Sequence, residues 1–225
     1  MGGMLVESAR ADVLIETIRA DARGEMALWD CHLARLTRSA SELGFPMPPP
    51  DLREQVAAHA LAGQDTRIRV LFARDARMDI THAPLGTLTL PARARLASDI
   101  LGASAVLASQ EPLLRHKATH RPWYTAASAW LACHEDCFDL LFTNERGELC
   151  EGSRTNLYVL QDGVWLTPPT DAGCLPGTQR ERLLASGAVR AATLTLADLG
   201  QAQGTRLSNA LRGWFDTVIE RPALQ

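Results

Sequence analysis

The stretch Asn144-Glu-Arg-Gly-Glu-Leu-Cys-Glu-Gly-Ser-Arg-Thr-Asn-Leu-Tyr158 combines a turn, a carboxylate followed by small and polar residues, and the start of an apolar strand. Its first four residues, ending at Gly147, are typical of a tight turn. Glu151 follows, and small polar side chains separate it from a strand predicted over residues 156–160. A carboxylate in this position is either a solvated loop charge or a functional group held beside the start of a strand.

A second informative stretch, Leu175-Pro-Gly-Thr-Gln-Arg180, leads directly into a helix predicted over residues 178–186. The first N–H groups of a helix have no partner inside the helix, so they can bind a group that lies in front of it. Together with the helix dipole they favour an anion at that end. Many loops enter helices through Pro-Gly, so this stretch alone is weak evidence for an anion site.

The basic residues include a single lysine. Of the 23 lysine and arginine residues 22 are arginine, and Lys117 lies in Leu113-Leu-Arg-His-Lys-Ala-Thr-His-Arg-Pro-Trp-Tyr124. A coding bias toward arginine explains the 22, but a guanidinium stays protonated and cannot act as a neutral amine nucleophile. Arg115, His116 and Arg121 bring positive charge close to Lys117, which would lower the pKa of its amine. The alternative is a solvated basic loop between a strand and a helix.

The composition excludes several classes of protein. The formal net charge is −3 at pH 7, which argues against a nucleic-acid groove because phosphate binding needs clustered positive charge. Hydrophobic residues make up 46% of the 225 residues, enough to bury a sizeable core. No segment has the roughly 18 uninterrupted apolar residues of a membrane span, and residues 1–10 lack the pattern of a secretory signal. We therefore expect a cytoplasmic protein with no membrane and no nucleic-acid partner.

The cysteines predict reduced thiols. They are five in number and form no CxxC pairs, so a disulfide framework is not expected. Cys133, His134 and Cys137 have helix-like spacing, but no second pair of ligands accompanies them. We therefore predict no metal site and a structural role for these three residues.

The order of strands and helices predicts a mixed α/β (or α+β) protein in two lobes. The small N-terminal lobe, residues 1–88, is expected to contain strands at 13–19, 67–74 and 78–81 and helices at 30–43, with Asp30 as N-cap, and 51–62. A loosely patterned segment between Pro84 and Pro91, with a short strand at 87–90, marks the boundary. The larger lobe, residues 89–225, is expected to contain strands at 103–108, 137–143, 156–160, 189–196 and 206–209 and helices at 122–134 and 178–186.

A lysine amine, a carboxylate and an anion-binding helix start are the three groups that pyridoxal phosphate needs from a protein. From about residue 14 to residue 214 the chain resembles the class IV aminotransferase family, the fold type IV pyridoxal-phosphate enzymes. The most specific match is the series Glu151-x-Ser-x-x-Asn156-Leu-Tyr158, Thr167 and Leu175-Pro-Gly-Thr-Gln-Arg180. Trp165 and Thr178 stand where the family usually has aliphatic residues. The resemblance implies a small sheet-plus-helices lobe and a larger, barrel-like C-terminal lobe.

The family resemblance also implies roles for individual residues. Lys117 matches the catalytic lysine that forms the Schiff base and shuttles protons, and Glu151 matches the carboxylate that faces the pyridine nitrogen. Arg35, in His32-Leu-Ala-Arg-Leu36, resembles the phosphate-binding arginine. The other expected cofactor contacts are the backbone at Thr178 and Gln179, the segment of Ser208 and Asn209, and the hydroxyl of Tyr124.

Within the family, three segments look most like the aminodeoxychorismate lyases: His116-Lys-Ala-Thr-His-Arg121, Asn144-Glu-Arg-Gly-Glu148 and Asn209-Ala-Leu-Arg-Gly213. The resemblance implies a step of folate synthesis that converts 4-amino-4-deoxychorismate, a small-molecule substrate, to 4-aminobenzoate and pyruvate. An aminotransferase for branched-chain or D-amino acids begins with the same deprotonation, so Lys117, Glu151 and Arg35 do not separate the two reactions. Members of this family are usually homodimers, and a homodimer is expected here.

A third hypothesis is a non-catalytic or partner-dependent module. The chain begins close to the strand at Leu14, whereas longer relatives have a preceding strand and a glycine-containing loop. An aminodeoxychorismate synthase subunit would then be the partner. The sequence does not identify the residues that bind substrate carboxylates, and the candidates are Arg93, Arg95 and Arg212.

Overall fold

A three-stranded antiparallel sheet forms the first part of the computed structural model, which describes residues 12–220. The elements of this part are β1 (Val13–Ala20), α1 (Trp29–Leu43), α2 (Leu52–Ala57), β2 (Thr66–Ala73) and β3 (Met78–Pro84), with β2 at the centre of the sheet. Side chains of β2 alternate between buried and more exposed positions, as in a strand with one face in the core. Ile68, Val70 and Phe72 on its buried face share one apolar cluster with Leu36 and Ala40 of α1.

The ends of the first two helices differ in part from the predictions. Asp30 is not the N-cap of α1, because the helix begins one residue earlier and Asp30 lies in its first turn. A carboxylate in the first turn still interacts favourably with the helix dipole. The predicted end is confirmed, since Gly44 closes α1 in the left-handed conformation with a φ of 69°. The helix predicted to reach residue 62 ends at Ala57, because the Leu61 N–H donates to the Thr66 hydroxyl at 2.9 Å and the chain turns into β2.

The second sheet contains nine strands and closes on itself. Its strands are β4 (Ala92–Leu96), β5 (Val106–Leu107), β6 (Asp139–Asn144), β7 (Leu149–Gly152), β8 (Asn156–Gln161), β9 (Val164–Thr167), β10 (Arg190–Ala191), β11 (Gly204–Asn209) and β12 (Gly213–Glu220). Neighbours are paired in the order β8-β11-β12-β4-β6, and β7 pairs with both β6 and β8. Six strands therefore form a ring, and β5, β9 and β10 extend it at the margins.

Apolar side chains from every strand of this ring meet in one cluster, which is the core of the barrel-like part. The buried members that the six strands contribute include Ala94, Leu141, Leu149, Leu157, Leu207 and Phe215. The helices that accompany the ring are α3 (Ala97–Leu101), α4 (Thr125–Ala132), α5 (Thr178–Ala185) and α6 (Leu196–Gly200). The expected mixed α/β class and the barrel-like sheet are confirmed. None of the helices within residues 12–220 combines the length and the apolar character that crossing a membrane requires. Residues 1–10, considered above for a secretory signal, lie outside this range.

Several short strands differ from the prediction. The strand expected at 87–90 is irregular chain, because the prolines at 84 and 91 on either side cannot donate to a sheet. The strands expected at 103–108 and 189–196 shrink to the two-residue strands β5 and β10. Four strands were not predicted, namely β4, β7, β9 and β12. The first of these, Ala-Arg-Ala-Arg-Leu, consists mainly of residues with little strand preference, and its pairing with β6 and β12 fixes it.

Candidate active site

The side chains predicted to carry chemistry surround one cavity of about 650 Å³ between the small sheet and the strand ring. This volume is typical of a site for a small molecule. Six of the predicted residues line the cavity: Arg35, Lys117, Glu151, Thr178, Ser208 and Asn209. Two predicted residues, Tyr124 and Gln179, are not part of its wall.

Lys117 lies on an irregular segment that is bonded to the edge of the small sheet. The Ile15 N–H donates to the Lys117 carbonyl at 2.7 Å, and the Thr119 N–H donates to the Val13 carbonyl at 3.0 Å. Between these bonds, Ala118 forms an isolated antiparallel bridge with β1 and is buried in the cluster of the small sheet. The backbone around the amine is therefore fixed to β1.

The surroundings of Lys117 favour the neutral amine. Burial, followed by the positive charges of Arg35 and Arg121, lowers its pKa from 10.5 to about 7, although Glu16 opposes the shift. A lysine in this state is nucleophilic and can also accept a proton at neutral pH. The geometry thus gives the single lysine of the chain the properties that the sequence suggested.

Only one of the three groups predicted to surround Lys117 does so directly. Arg121 lines the same cavity. Arg115 instead points to solvent, where it pairs with Asp171 at 3.1 Å. His116 turns toward α1 and bonds to Ser39 at 3.0 Å. The sequence placed these residues near the lysine but could not show on which side of the segment each side chain lies.

Glu151 is held by four donors. Its Oε1 accepts hydrogen bonds from the Tyr124 hydroxyl at 2.7 Å and from Arg121 at 3.3 Å. Its Oε2 accepts from the Leu175 N–H at 3.0 Å and from the Asn156 amide at 3.2 Å. Burial raises the pKa of Glu151 to about 7, although Arg121 and the Tyr124 hydroxyl act against the rise. The carboxylate is therefore fixed in one orientation at the cavity wall. Because its pKa is about 7, it changes between the charged and the neutral form near neutral pH.

Tyr124 acts on Glu151 rather than on the cavity. Its ring is buried against Phe142, with the ring centroids 5.1 Å apart, and its hydroxyl donates to Glu151. Burial raises its pKa well above 10, so it stays a donor at physiological pH. The expectation that its hydroxyl contacts a cofactor directly is not supported by this placement.

Arg35 projects from α1 to the cavity and is held by Glu16 of β1. Two of its nitrogens, Nε and Nη2, donate to the Glu16 carboxylate at 2.8 and 2.6 Å. His32, one turn earlier, bonds to the same carboxylate at 2.6 Å. Burial would raise the pKa of Glu16, but Arg35 and His32 together hold it at about 2. The remaining nitrogen, Nη1, lies 3.5 Å from the carbonyl oxygen of Pro176, beside the start of α5.

The start of α5 is packed tightly against β8. Gly177 precedes the helix, and a Cβ at this position would overlap the side-chain oxygen of Asn156. The amide of Asn156 in turn donates to the Leu175 carbonyl at 2.9 Å. Thr178, the first helical residue, is 2% exposed and lines the cavity, whereas Gln179 is half-buried outside its wall. The free N–H groups of this helix start and Arg35 form a site suited to a phosphate.

Ser208 and Asn209 end β11 at the cavity, and both side chains already have protein partners. The Ser208 hydroxyl is 2.7 Å from the Tyr158 hydroxyl. The Asn209 Oδ1 accepts from the Leu211 and Arg212 N–H groups at 3.1 and 2.9 Å, which shapes the turn into β12. These contacts fix the segment that the family resemblance places near the phosphate or the substrate.

The sequence analysis missed three of the six cavity arginines, namely Arg67, Arg69 and Arg154. Arg67 and Arg69 are two residues apart on β2, so their side chains lie on one face of the sheet, and Thr17, opposite Arg69, lines the same cavity. The alternation along β2 was visible in the sequence, but not that this face lies toward the cavity. Two earlier candidates, Arg93 and Arg95, pair instead with Glu220 outside the cavity wall.

The cavity is strongly positive. Its wall contains Lys117 and one carboxylate, Glu151, together with six arginines, namely Arg35, Arg67, Arg69, Arg121, Arg154 and Arg212. Arg35 and Arg121 form ion pairs. The side chains of Arg67 and Arg69 have no hydrogen bond or ion pair with any residue in the described part of the chain. The cavity therefore favours a ligand or ligands with several negative charges.

The family model for amino-transferase class IV matches residues 13–217. The chain belongs to this family, whose members are pyridoxal-phosphate-dependent enzymes, and the predicted family is confirmed. The ring of strands agrees with this assignment.

Relatives include proteins named for both candidate reactions. The chain is 30% identical to a proposed aminodeoxychorismate lyase of Schizosaccharomyces pombe over 78% of its own length and 74% of that protein. It is 27% identical to a proposed branched-chain-amino-acid aminotransferase of Thermotoga maritima, over 80% of its length and 65% of that protein. A crystal structure of a proposed amino-acid aminotransferase of Mesorhizobium loti superimposes with a TM-score of 0.81 at 34% identity, covering 92% of this chain and 99% of that one. The similarity thus defines the family without selecting one reaction.

Proposed function

We propose that the protein is a pyridoxal-phosphate-dependent lyase that converts 4-amino-4-deoxychorismate to 4-aminobenzoate and pyruvate. The cavity residues fit the cofactor, since a neutral amine, a buried carboxylate and an anion site line one space. Lys117 would hold the aldehyde carbon, Glu151 the ring nitrogen, and Arg35 with the start of α5 the phosphate. When bound, the cofactor supplies an electron sink for the carbon that loses its proton.

The reaction itself requires one proton acceptor and no further reactant. Once the substrate amine has displaced it from the aldehyde carbon, the Lys117 amine, whose pKa is about 7, accepts the proton from the amine-bearing carbon of the substrate. The carbon–oxygen bond to the pyruvate part then breaks, and the ring becomes aromatic. The released enol form of pyruvate takes up a proton, so the sum is one substrate and two products.

The observation that carries this proposal is the excess of arginine in the cavity. The cofactor phosphate would use Arg35 and the start of α5, which leaves Arg67 and Arg69 without a counter-charge among the described residues. The proposed substrate has two carboxylates, whereas a branched-chain amino acid has one carboxylate and an apolar side chain. Guanidinium groups bind carboxylates through paired hydrogen bonds, so these arginines favour the dicarboxylate.

A class IV aminotransferase is the second candidate. Part of the cavity margin is apolar and includes Pro84, Leu85 and Leu211, a surface that suits an aliphatic side chain. The sequence identity to the Thermotoga protein, 27%, is close to the 30% identity to the Schizosaccharomyces protein. Both reactions would use Lys117 in the same way, so product analysis has to separate them.

The test begins with absorption spectra of the purified protein before and after pyridoxal phosphate is added, followed by borohydride reduction and peptide mapping. We expect a stable adduct on Lys117. The loaded protein is then incubated with 4-amino-4-deoxychorismate, and 4-aminobenzoate and pyruvate are measured. A parallel reaction with a branched-chain amino acid and 2-oxoglutarate, assayed for glutamate, tests the aminotransferase.

The outcomes are distinct. Equal amounts of 4-aminobenzoate and pyruvate support the lyase. Formation of glutamate without 4-aminobenzoate would contradict the lyase and support the aminotransferase. An adduct with neither product, followed by turnover when an aminodeoxychorismate synthase subunit is added, supports a partner-dependent module.

A further inference from the structure

One face of α1 carries polar residues although it lies inside the protein. His32, Arg35 and Ser39, spaced by three and four residues, share this face and are at most 5% exposed, and Glu42 continues it at the surface. The inner face of a helix is usually apolar, so each buried polar group here needs a partner outside the helix. His32 and Arg35 have theirs in Glu16.

Ser39 and Glu42 both contact His116, the residue directly before Lys117. The His116 ring is 4% exposed, its Nδ1 lies 3.0 Å from the Ser39 hydroxyl, and its Nε2 lies 3.4 Å from the Glu42 carboxylate. Burial, followed by Arg38 and Arg115, lowers the pKa of His116, whereas Glu42 opposes this. The order serine, histidine, carboxylate occurs in hydrolases. Ser39, however, is 2% exposed and lies outside the cavity wall, so it has no access to a substrate.

These contacts join the Lys117 segment, β1 and α1 to one another beside the cavity. The Lys117 backbone is bonded to β1, and β1 contributes Glu16, which holds Arg35 of α1. From α1 the contacts return through Ser39 to His116, and so to Lys117. The segment around Lys117 is thus held from two sides, by the sheet after the lysine and by the helix before it.

We propose that His116 is a positioning residue that ties the Lys117 segment to α1 and so keeps the amine beside the guanidinium groups of the cavity. The inference rests on the proposed function in that Lys117 is the reactive amine. Without the tie, the segment before Lys117 gains freedom, and the amine can move away from Arg35 and Arg121. Its pKa then rises toward that of an ordinary lysine.

The single lysine makes this testable without cofactor or substrate. Protein labelled with carbon-13 in lysine has one lysine side-chain signal, and its shift follows the protonation of Lys117 as the pH is changed. The charged or titratable groups that interact with Lys117 are Arg35 and His32 from α1, Glu16 from β1, Arg69 from β2 and Arg121 from its own segment. None of them is altered in the variants below, so a change reports the position of the amine.

We expect His116→Phe to raise the midpoint of the Lys117 titration by about one pH unit, a tenfold change in proton affinity. His116→Asn can still bond to Ser39 and is expected to restore most of the wild-type value. Arg115→Ala, which removes an exposed neighbour paired with Asp171, is the matched control and should leave the midpoint unchanged.

If the phenylalanine variant does not fold, the combination of Ser39→Ala and Glu42→Gln removes the same two contacts with smaller changes. An unchanged Lys117 midpoint in that double variant overturns the proposal. An equal shift in Arg115→Ala also overturns it, because the effect would then be general to the segment. These outcomes are independent of the proposed function, which fails instead if borohydride leaves no adduct on Lys117 in the wild-type protein.

Discussion

The carboxylate of Glu16 and the guanidinium of Arg35 are joined at two points, by bonds of 2.8 and 2.6 Å, and both side chains are buried. The pair links β1, an edge strand of the small sheet, to α1, which packs against this sheet. It also leaves one edge of the Arg35 fork, Nη1, turned toward the start of α5. The arginine expected to bind phosphate therefore has its orientation set by a strand residue that the sequence analysis did not single out.

Glu16→Gln tests this pair. In the wild-type protein the pKa of Glu16 is about 2, below the ordinary 4.5. Glu16 therefore contributes stability that is present above pH 4.5 and is lost as the pH falls toward 2. We expect the variant to lower the free energy of unfolding at pH 7 by about 3 kcal/mol, because Arg35 stays buried without its partner. It should also lose much of the pH dependence in that acidic range. Denaturant unfolding at several pH values measures both effects.

Asp65→Asn is the control for this prediction. It removes the exposed pair between Arg19 and Asp65, which lies on the same sheet. An exposed pair contributes about 0–1 kcal/mol, so the change should be small. Equal losses in the two variants would contradict the special role of the buried pair.

Arg67→Ala and Arg69→Ala test the binding of a dicarboxylate. Each substitution removes a charged donor from the cavity, and we expect KM for 4-amino-4-deoxychorismate to rise about tenfold or more with a smaller change in kcat. Steady-state kinetics of 4-aminobenzoate release measures this. Arg77→Ala, which removes an exposed partner of Asp75 beyond the end of β2, should leave KM unchanged. Unaltered KM in both cavity variants would contradict the binding of the substrate carboxylates by Arg67 and Arg69.

Much of the site could be predicted because its groups have unusual sequence neighbourhoods. Lys117 is the single lysine, and Glu151 and Thr178 stand in ordered motifs that the family resemblance makes specific. The partners of these groups were harder to predict, because they come from distant parts of the chain. Glu16 meets Arg35 through the pairing of β1 with β2 and the packing of α1, and no local pattern encodes that contact.

The fold class was predicted correctly, but individual strands were missed where pairing with distant strands decides their formation. The strand ring closes through β7, a four-residue strand whose two neighbours, β6 and β8, supply its hydrogen bonds. Such a short segment has too little periodicity to be recognised alone. Tyr124 illustrates the same limit for side chains, since its residue type suited a cofactor contact and the fold instead directs it to Glu151.

Tyr124→Phe tests the environment of Glu151. The Tyr124 hydroxyl lowers the pKa of Glu151, which burial has raised to about 7, so its removal should raise that pKa further. If the ionised carboxylate holds the cofactor ring, the acidic limit of pyridoxal phosphate binding should move up by about one pH unit or less. Binding curves from pH 5 to 9, about two units on either side of neutrality, measure the limit. Tyr158→Phe removes a comparably buried hydroxyl bonded to Ser208, and its limit should not move.

Gly177→Ala tests the packing at the start of α5. The added methyl group would overlap the Asn156 side-chain oxygen, so the loop or Asn156 must shift. We expect a loss of about 1–3 kcal/mol in stability and weaker binding of pyridoxal phosphate. Gly86→Ala is the matched control, because it lies in the same cavity wall and its methyl group would meet nothing within 4 Å. Equal affinities of the two variants would contradict the role of this helix start in binding phosphate.

The family resemblance also leads to a prediction about assembly. We expect a homodimer, so light scattering on the purified protein should give twice the 24.5 kDa of one chain. A mass equal to one chain over the range of working concentrations would contradict it. The measurement is best made with and without pyridoxal phosphate, because a ligand that binds one assembly state preferentially shifts the equilibrium toward it.

Because backbone hydrogen bonds join the Lys117 segment to β1, the position of the amine does not depend on the route that the chain takes between the two sheets. Leu113 and Ala118, on either side of the lysine, pack in the core of the small sheet, although residues 85–112 intervene between them and β3. Changes in the length of the connection at residues 87–91, beyond the cavity residues Leu85 and Gly86, are thus expected to leave the distance from the amine to Arg35 intact. A peptide inserted there in an engineered variant would lengthen the chain between the two sheets without moving these two groups.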